Sequence, residues 1–393
     1  MIELRSAFII DAVRTPFGRN RGALSHIRTD DLAALPIAEL VKRHSELDPE
    51  VIDDVYYGNA NGAGEDNRNV ARMSALLAGL PATIPGATVN RLCASGNEAV
   101  IQAARAVAVG EASLCVAGGV EGMSRAPYVL AKPDEGLPRS MKLEQTQLGW
   151  RMVNPKFPDR WTASLGACAE RVAAELGIGR AEQDEWAARS HQRVHAAYEA
   201  GVHDGFVMDV EGVRRDESLR PDTTTETLAG LKPAFTPDGS VTAGNSSPVN
   251  DGALAMFIGD RRAVDESGQP PLGRIVASAT TAVEPDRFTI APVSAIQKVL
   301  RRCDLSFADV ALWEINEAFA AMVLSMLHGL PDIDRERVNV HGGAIAIGHP
   351  LGASAPRVTV DLCRELRRRG GGIGVAAACI GVGQGQAVVV QVD

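Results

Sequence analysis

Three glycine-rich segments each carry one side chain that could take part in nucleophilic chemistry. They are Asn90–Gly96 with Cys93, Gly342–Ala355 with His349, and Ala378–Gly383 with Cys379. Cys93 lies at or just before a predicted helix start, where free N–H groups and the helix dipole lower a thiol pKa and favour a nucleophilic thiolate. Histidine is the usual base near neutral pH. The glycines that follow Cys379 expose main-chain N–H groups that could hold an oxyanion.

Each of these residues also has a purely structural interpretation. A lone cysteine is often a small buried hydrophobe, and His349 could be a structural or helix-capping residue. A fourth element is Glu314–Phe319, a predicted strand end that turns into a helix, where Asn316 could be an N-cap. The spacing of Cys93, His349 and Cys379 matches no short metal motif, so we predict no metal site.

The elements that must position these residues alternate between strand-like and helix-like runs, which predicts βαβ units and a mostly parallel sheet. The predicted strands are Ser6–Val13, Val55–Tyr57, Leu114–Ala117, Arg274–Ala282 and Val310–Ile315. The predicted helices are Asp30–Val41, Asn69–Leu80, Ser95–Val109, Glu182–Ala200, Val293–Arg302, Asn316–Leu327 and Ser354–Arg369.

The two ends of the chain resemble each other. Ala94-Ser95 and Ala353-Ser354 each open a predicted helix, and Val116-Ala117 and Val375-Ala376 lie in the strand that follows, both at an offset of 259 residues. This repeat indicates a duplicated half, with function at the junction. Residues 119–249, rich in prolines and scattered charges, interrupt the alternation. We expect a first half over residues 1–271 that includes this insertion, and a second half over residues 272–393.

Composition limits the partners and the compartment. The 393 residues carry 40 Lys and Arg against 49 Asp and Glu, a net charge of −9, which argues against nucleic acid or an anionic membrane as a partner. Six dispersed cysteines predict neither a disulfide framework nor a structural zinc. The uncharged stretch Gly370–Val392 is long enough to span a bilayer, but its glycines predict two buried strands around a turn. With no signal-peptide layout at the start, we expect a cytoplasmic protein without a membrane partner.

Taken together, the motifs resemble those of the thiolase family over the full length of the chain. They appear in chain order as Asn90–Gly96, Thr242–Ser247 with Asn250-Asp-Gly252, Asn316-Glu-Ala-Phe319, Gly342-Gly to His349-Pro350, and Cys379-Ile-Gly381-Val-Gly383. Within the family, Ala63–Met73 and Leu148–Pro155 are similar to the β-ketoadipyl-CoA thiolase branch.

This resemblance implies an α/β fold of two βαβαβαββ halves, layered α/β/α/β/α, with an inserted loop domain and homotetrameric assembly. It implies an acetyl-CoA C-acyltransferase that cleaves a 3-oxoacyl-CoA, or forms one by Claisen condensation, without metal or redox cofactor. Cys93 would carry the acyl group and Cys379 would protonate C2. His349 would activate Cys93 and, with a water on Asn316, hold the enolate oxygen. The N–H groups of Cys93 and Gly381 would hold the tetrahedral oxyanion.

Coenzyme A would bind as a substrate in the loop segment. The resemblance assigns the adenine nucleotide to Arg220, with Thr227 where a serine is common, and the pantetheine arm to Ser247. The residues expected to line the pantetheine tunnel are Phe235, Ala243, Ala318 and Phe319.

Departures from the family pattern leave the acyl chain open between acetoacetyl, 3-oxoadipyl and longer chains. Ser164-Leu165-Gly166 stands where Met-Gly is common, and Phe288 and Ile290 would reshape the acyl pocket by their bulk. A non-catalytic acyl-CoA or lipid-binding protein of the same fold is an alternative, although such proteins typically lose a catalytic residue. A decarboxylating ketoacyl synthase is a further alternative, but those enzymes pair the nucleophile with two histidines.

Overall fold

The computed structural model describes residues 4–134 and 136–393. The expectation that the start has no signal-peptide layout falls partly on Met1–Glu3, which lie outside the described residues. The strands are β1 (Ala7–Arg14), β2 (Gly18–Arg19), β3 (Asp54–Gly58), β4 (Gly86–Val89), β5 (Leu114–Gly122), β6 (Tyr128–Leu130), β7 (Leu143–Gln145), β8 (Asn250–Gly259), β9 (Gly273–Ala282), β10 (Leu312–Ile315), β11 (Gly372–Ile380) and β12 (Gln384–Val392). The helices are α1 (Thr29–Arg43), α2 (Val70–Leu77), α3 (Ser95–Val109), α4 (Leu165–Glu175), α5 (Arg180–Glu199), α6 (Thr225–Ala229), α7 (Arg261–Ser267), α8 (Ala291–Arg302), α9 (Ala320–Gly329), α10 (Ala344–Ile347) and α11 (Leu351–Arg368).

The strand order reveals two related halves. Within the described residues the main sheet runs β10-β11-β12-β9-β1-β8-β5-β3-β4, with β2 against β8. The first half contributes β1, β8, β5, β3 and β4, and the second contributes β9, β12, β11 and β10 in the mirrored order. The β1–β9 pair joins them, antiparallel. The place of β4 is taken in the second half by a single parallel bridge from Trp313 to Val338. The predicted duplication is therefore confirmed.

Helices α3 and α11 lie between the two halves of the sheet and share one hydrophobic core with β1, β5, β8, β11 and β12. They approach so closely that a Cβ at Gly96 would lie 2.2 Å from the carbonyl oxygen of Gly352. Helices α1 and α2 cover the outer face of the first half, and α8 and α9 cover that of the second. The layers thus alternate as expected, and both central helices begin at the same junction.

Most predicted elements are present within a few residues of their expected bounds. The helix expected over Asn316–Leu327 begins only at Ala320, because Phe319 pairs in an isolated bridge with Ser246 and holds the preceding residues in an extended form. Gly370–Val392 forms the antiparallel pair β11–β12, as predicted. Among the described residues, no helix combines the length and apolar character that a membrane crossing requires.

Candidate active site

Cys93 lies in a sharp turn between β4 and α3. Leu92, the residue before it, has a φ of +48°, a left-handed conformation that costs free energy for a residue with a Cβ. Polar side chains stabilise the turn. Asn90 Oδ1 accepts from the N–H of Leu92 at 2.9 Å, while Ser95 Oγ accepts from the N–H of Arg91 at 2.9 Å and donates to the Leu92 carbonyl at 2.7 Å. The sequence Asn90 to Ser95 therefore builds the turn that presents the thiol.

The surroundings of the Cys93 thiol favour its protonated form. Burial raises its pKa to about 11, although the N–H groups of Gly381 and of Cys93 itself each lower it. The expected lowering by a helix start is wrong here, because Cys93 belongs to the 3₁₀ turn Leu92–Ala94 ahead of α3 and loses its hydration. The same two N–H groups point toward the sulfur, beside the position that the oxyanion of an acyl carbon bonded to this sulfur would take.

Cys379 is the second-last residue of β11 and lies close enough to Cys93 for a charge there to act on it. Burial raises the pKa of Cys379 well above its ordinary value, and a charge on Cys93 raises it further. The two thiols, which are remote in sequence, are thus neighbours at the junction of the halves. A thiol whose pKa rises further when the neighbouring nucleophile is charged suits the role of a proton donor.

His349 lies just before α11 with one ring nitrogen free of a proton. Gly348 has a φ of +117°, and the N–H of His349 donates to Asn250 Oδ1 at 3.0 Å. Ser354 Oγ donates to the Pro350 carbonyl at 2.9 Å, so it can only accept from His349 Nδ1, which lies 2.7 Å away. Burial and the charge of Arg357 lower the pKa of His349 to about 4. The neutral ring therefore carries its proton on Nδ1 and leaves Nε2 as a base.

Asn316 follows β10 and contacts that free nitrogen. Its Nδ2 lies 3.4 Å from His349 Nε2. Its Oδ1 is buried and has no hydrogen-bond partner among the described residues. A buried amide oxygen without a protein partner is a favourable place for an ordered water. Since the helix begins at Ala320, Asn316 is not an N-cap.

Two buried glutamates that the sequence interpretation did not select hold these segments together. Glu121 accepts from the N–H groups of Ala60, Asn61 and Gly352, each at 3.0 Å, which ties the start of α11 to the first half. Burial raises the pKa of Glu121 to about 7. In the sequence, Glu121 could have been identified as a charged residue near the end of an otherwise apolar strand.

Glu317 anchors the inserted segment. It accepts from Trp186 Nε1 at 3.0 Å and Ser190 Oγ at 2.6 Å on α5, and from Asn339 Nδ2 at 2.9 Å. The N–H of Ile345 adds a longer bond of 3.3 Å. The segment that carries Asn316 is therefore fixed from three sides.

A cavity of about 340 Å³ opens beside Cys93. Its lining includes Cys93, Gly381 and Leu165, the last from the Ser164–Gly166 departure noted in the sequence. Phe288 and Ile290 do not line it. Phe288 is buried in the core, with its ring centroid 6.3 Å from that of Phe319, so the prediction that these two residues shape the pocket is wrong for this cavity.

Four of the seven residues expected to bind coenzyme A lie together. The rings of Phe235 and Phe319 meet edge to face with centroids 6.0 Å apart, and Ser247 donates to the Ala318 carbonyl through both N–H and Oγ at 3.0 Å. Phe235 is 39% exposed, which makes its ring accessible to a ligand.

The other three expected residues, Arg220, Thr227 and Ala243, are exposed on the inserted segment. The N–H of Arg220 donates to His191 Nδ1 at 3.2 Å, and Thr227 is paired with Thr224 in a capping box. In the part of the chain that the structure describes, no hydrogen bond or aromatic contact links them to the Phe235–Phe319 group.

The comparisons with known proteins agree with this geometry. Residues 7–262 match the family model "Thiolase, N-terminal domain" and residues 269–392 match "Thiolase, C-terminal domain". A "Beta-ketoadipyl-CoA thiolase" of Pseudomonas aeruginosa is 48% identical over 398 residues, covering 98% of this chain and 99% of the relative. A "3-oxoadipyl-CoA/3-oxo-5,6-dehydrosuberyl-CoA thiolase" of Escherichia coli K12 is 48% identical over 400 residues, covering 99% and 100%.

Solved structures give the same result. The crystal structure of the Bacillus anthracis acetyl-CoA acetyltransferase has a TM-score of 0.92 at 38% identity and covers 100% of both chains. Human mitochondrial 3-ketoacyl-CoA thiolase in complex with CoA has a TM-score of 0.92 at 38% identity, covering 100% of this chain and 99% of the human one. These relatives give no support to the non-catalytic alternative. Two matched domain models, full-length identity and the fold together establish that the chain belongs to the thiolase family of acyltransferases.

Proposed function

We propose that this enzyme cleaves a 3-oxoacyl-CoA with coenzyme A to acetyl-CoA and a shortened acyl-CoA, or runs the reverse Claisen condensation, through an acyl group on Cys93. The observation that carries this proposal is the meeting of two thiols, Cys93 and Cys379, beside the N–H of Gly381. Both thiols are buried, Cys93 is adjacent to the oxyanion donors, and a charge on Cys93 further raises the pKa of Cys379. Carbon–carbon cleavage needs both a nucleophile at C3 and a proton donor at C2.

In the first half-reaction, the sulfur of Cys93 bonds to C3 while its proton passes to Nε2 of His349. The C3 oxygen becomes an oxyanion held by the N–H groups of Cys93 and Gly381, each contributing about 3 kcal/mol. The C2–C3 bond then breaks and its electron pair passes into the acetyl-CoA enolate. His349 Nε2–H and a water on Asn316 hold the enolate oxygen, Cys379 gives its proton to C2, and acetyl-CoA leaves.

In the second half-reaction, the Cys379 thiolate takes the proton of a coenzyme A thiol. The coenzyme sulfur attacks the acyl carbon on Cys93, and the same two N–H groups hold the second oxyanion. The Cys93 sulfur leaves and recovers its proton from His349. Coenzyme A enters as a substrate, and the proposal involves no metal and no resident cofactor.

The CoA portion of the substrate is proposed to bind along the inserted segment. Arg220 and Thr227 would contact the nucleotide, Ser247 the pantetheine arm, and Phe235 and Phe319 the walls of its tunnel with Ala243 and Ala318. The exposed ring of Phe235 beside Phe319 supports this assignment. The CoA complex of the human relative supports the ligand class.

The acyl chain is proposed to end in a carboxylate, because two relatives that share 48% of their residues with this chain are named for 3-oxoadipyl-CoA, under that name or as β-ketoadipyl-CoA. A panel of acetoacetyl-, 3-oxoadipyl- and 3-oxohexanoyl-CoA ranked by kcat/KM tests this choice. We expect 3-oxoadipyl-CoA to rank first, and a higher kcat/KM for the neutral six-carbon chain would contradict it.

The assembly is proposed to be a homotetramer, in a cytoplasmic setting. The β6–β7 hairpin and the loop between its strands expose apolar side chains that include Tyr128, Leu137 and Leu143, at 66%, 93% and 59%. Such a patch favours burial against another copy. Light scattering on the protein as it elutes from a gel-filtration column tests the tetramer, and a monomer would contradict it.

The proposed cytoplasmic setting has a separate support. All six cysteines are free, which suits a reducing compartment.

The central test is acylation of the enzyme itself. Incubation with acetyl-CoA should add one acetyl group to the intact mass, and peptide mapping should place it on Cys93. The Cys93→Ala variant should show no adduct. An adduct that persists in this variant, or its absence from the wild-type protein, would refute the proposal.

A further inference from the structure

A cationic side chain lines the cavity that opens beside Cys93. Arg151 belongs to the irregular stretch between β7 and α4 and shares this cavity with Trp150 and Gly381. The Trp150 ring lies against the active-site turn, since a Cβ at Gly381 would be 3.2 Å from its Cη2 atom. The segment therefore brings a guanidinium into the same space as the nucleophile.

The guanidinium of Arg151 is oriented by Asn61. One of its terminal nitrogens donates to Asn61 Oδ1 at 2.9 Å and to the Asn61 carbonyl at 3.3 Å. Asn61 is itself fixed, because its Nδ2 donates to Thr146 Oγ1 at 3.1 Å and its N–H donates to Glu121 at 3.0 Å. An arginine held along one edge keeps its other N–H groups in a defined direction.

The positive charge has no carboxylate partner in the described part of the chain. No Asp or Glu among residues 4–134 and 136–393 lies within 4.0 Å of an Arg151 nitrogen, whereas Arg14, Arg91 and Arg125 are each paired with a carboxylate. Glu121 lines the same cavity, but its oxygens already accept from three backbone N–H groups. A partly buried, unpaired guanidinium with free donors is complementary to an anionic ligand group.

The size of the cavity fits a short chain. Its volume of about 340 Å³ is at the lower end of the roughly 300–1,000 Å³ of ligand pockets. A four-carbon acyl group on Cys93 that ends in a carboxylate spans about 6 Å of extended chain, and its two oxygens match the planar fork of a guanidinium.

We infer that Arg151, positioned by Asn61, is the specificity-determining residue that binds the terminal carboxylate of the acyl chain. The inference rests on the proposed thiolytic reaction at Cys93 and adds the group that selects a dicarboxylic over a neutral chain. It acts on acyl binding in both half-reactions, since the carboxylate stays on the acyl group carried by Cys93.

The test compares kcat/KM for 3-oxoadipyl-CoA and 3-oxohexanoyl-CoA, which share six carbons and differ in the terminal carboxylate. Arg151→Met keeps the length of the side chain and removes its charge. Two charge-assisted hydrogen bonds are lost, so the ratio of the two kcat/KM values should fall about 100-fold. Arg151→Lys, which keeps the charge without the fork, should lower the ratio less. Arg139→Met, a change at an exposed arginine of the loop between β6 and β7, should leave the ratio unchanged.

A second measurement does not depend on turnover. The rate at which succinyl-CoA acylates Cys93, followed by intact mass, should fall in Arg151→Met relative to the rate with butyryl-CoA. An unchanged substrate ratio or unchanged relative acylation would overturn the assignment of Arg151, while wild-type thiolysis would still stand. A wild-type protein that no acyl-CoA acylates would instead overturn the proposed reaction itself.

Discussion

The protonation state of the resting nucleophile can be tested directly by alkylation of Cys93 with iodoacetamide across pH. The thiolate is the reacting form, and burial raises the pKa of this thiol to about 11. The reactive form therefore appears only as the pH rises toward that value. Labelling should accelerate nearly tenfold per pH unit from pH 7 to beyond pH 9.5, with no plateau near neutrality.

The expected labelling rate of Cys93, relative to that of a free thiol, follows from the same pKa. At pH 7 about one Cys93 side chain in 10⁴ is ionised, against about 3% of a free cysteine of pKa near 8.5. The more basic thiolate is intrinsically more nucleophilic, with a Brønsted coefficient of about 0.4–0.5, which recovers about a factor of ten. We therefore expect labelling roughly 20-fold slower than that of a free thiol, even before limited access is considered.

Intact mass spectrometry gives the rate, and peptide mapping separates Cys93 from the five other cysteines. His349→Ala is the informative variant. Because burial lowers the pKa of His349 to about 4, its ring is neutral over the whole range and its removal should leave the pH profile unchanged. A plateau above pH 7 that disappears in His349→Ala would reveal a preformed thiolate–imidazolium pair and refute the reasoning.

Three further predictions concern stability and the division of chemistry. Gly96→Ala should lower the free energy of unfolding in urea by about 3 kcal/mol, because its Cβ would meet a backbone oxygen at 2.2 Å. Gly230→Ala, whose Cβ would have no neighbour closer than 3.7 Å, should change this free energy by less than about 0.5 kcal/mol. Equal effects of the two substitutions would contradict the close packing of α3 against α11. Glu317→Gln replaces one acceptor oxygen, which is surrounded by donors, with an amide donor and should lower the free energy of unfolding by about 3 kcal/mol in the same assay. Trp186→Phe, which removes a single donor, should lower it by about 1 kcal/mol. A reversed order would contradict the anchoring role of Glu317. Cys379→Ser should slow deuterium exchange at C2 of acetyl-CoA, followed by NMR, at least about 100-fold. Cys93 should still accept an acetyl group in this variant. Equal losses in the exchange and acylation steps would contradict separate roles for the two thiols.

Local sequence patterns predicted most helices and strands, and the two halves that they form. Helix α3 has the expected bounds, Ser95–Val109, because the glycine that follows it adopts a φ of +78° and ends the helix. The repeat at 259 residues correctly identified two halves, since equivalent helices and strands keep their spacing when a unit is duplicated. The start of α9 was missed because a tertiary contact, the bridge between Phe319 and Ser246, overrides local helix propensity there.

The site was only partly predictable for a related reason. Residues in glycine-rich motifs, such as Cys93 and His349, stand out in the sequence. Arg151 lies in a stretch without periodicity, which the sequence marks only by its similarity to the β-ketoadipyl-CoA thiolase branch, and only the fold brings it to the cavity. The direction of the Cys93 pKa shift was also not accessible, because the sequence indicates a nearby helix start but not the loss of hydration, which has the larger effect.

The duplication itself explains why the chemistry lies at the junction. The offset of 259 residues relates Cys93, before α3, to Gly352, at the start of α11. The strand end of each half reaches the helix start of the other. Glu121 beyond the centre of β5 accepts from the N–H of Gly352, and the N–H of Gly381 after β11 points at the sulfur of Cys93.

A helix start attracts negative charge, and the two halves use this property differently. At α11 the position is filled by the side chain of Glu121, which accepts from the N–H of Gly352 and ties the halves together. At the equivalent position in the first half, in the 3₁₀ turn ahead of α3, Cys93 holds a thiol that gains charge only when its proton leaves. One of these two contacts between the halves therefore stabilises the fold, and the other is left available for the anions that form during the reaction.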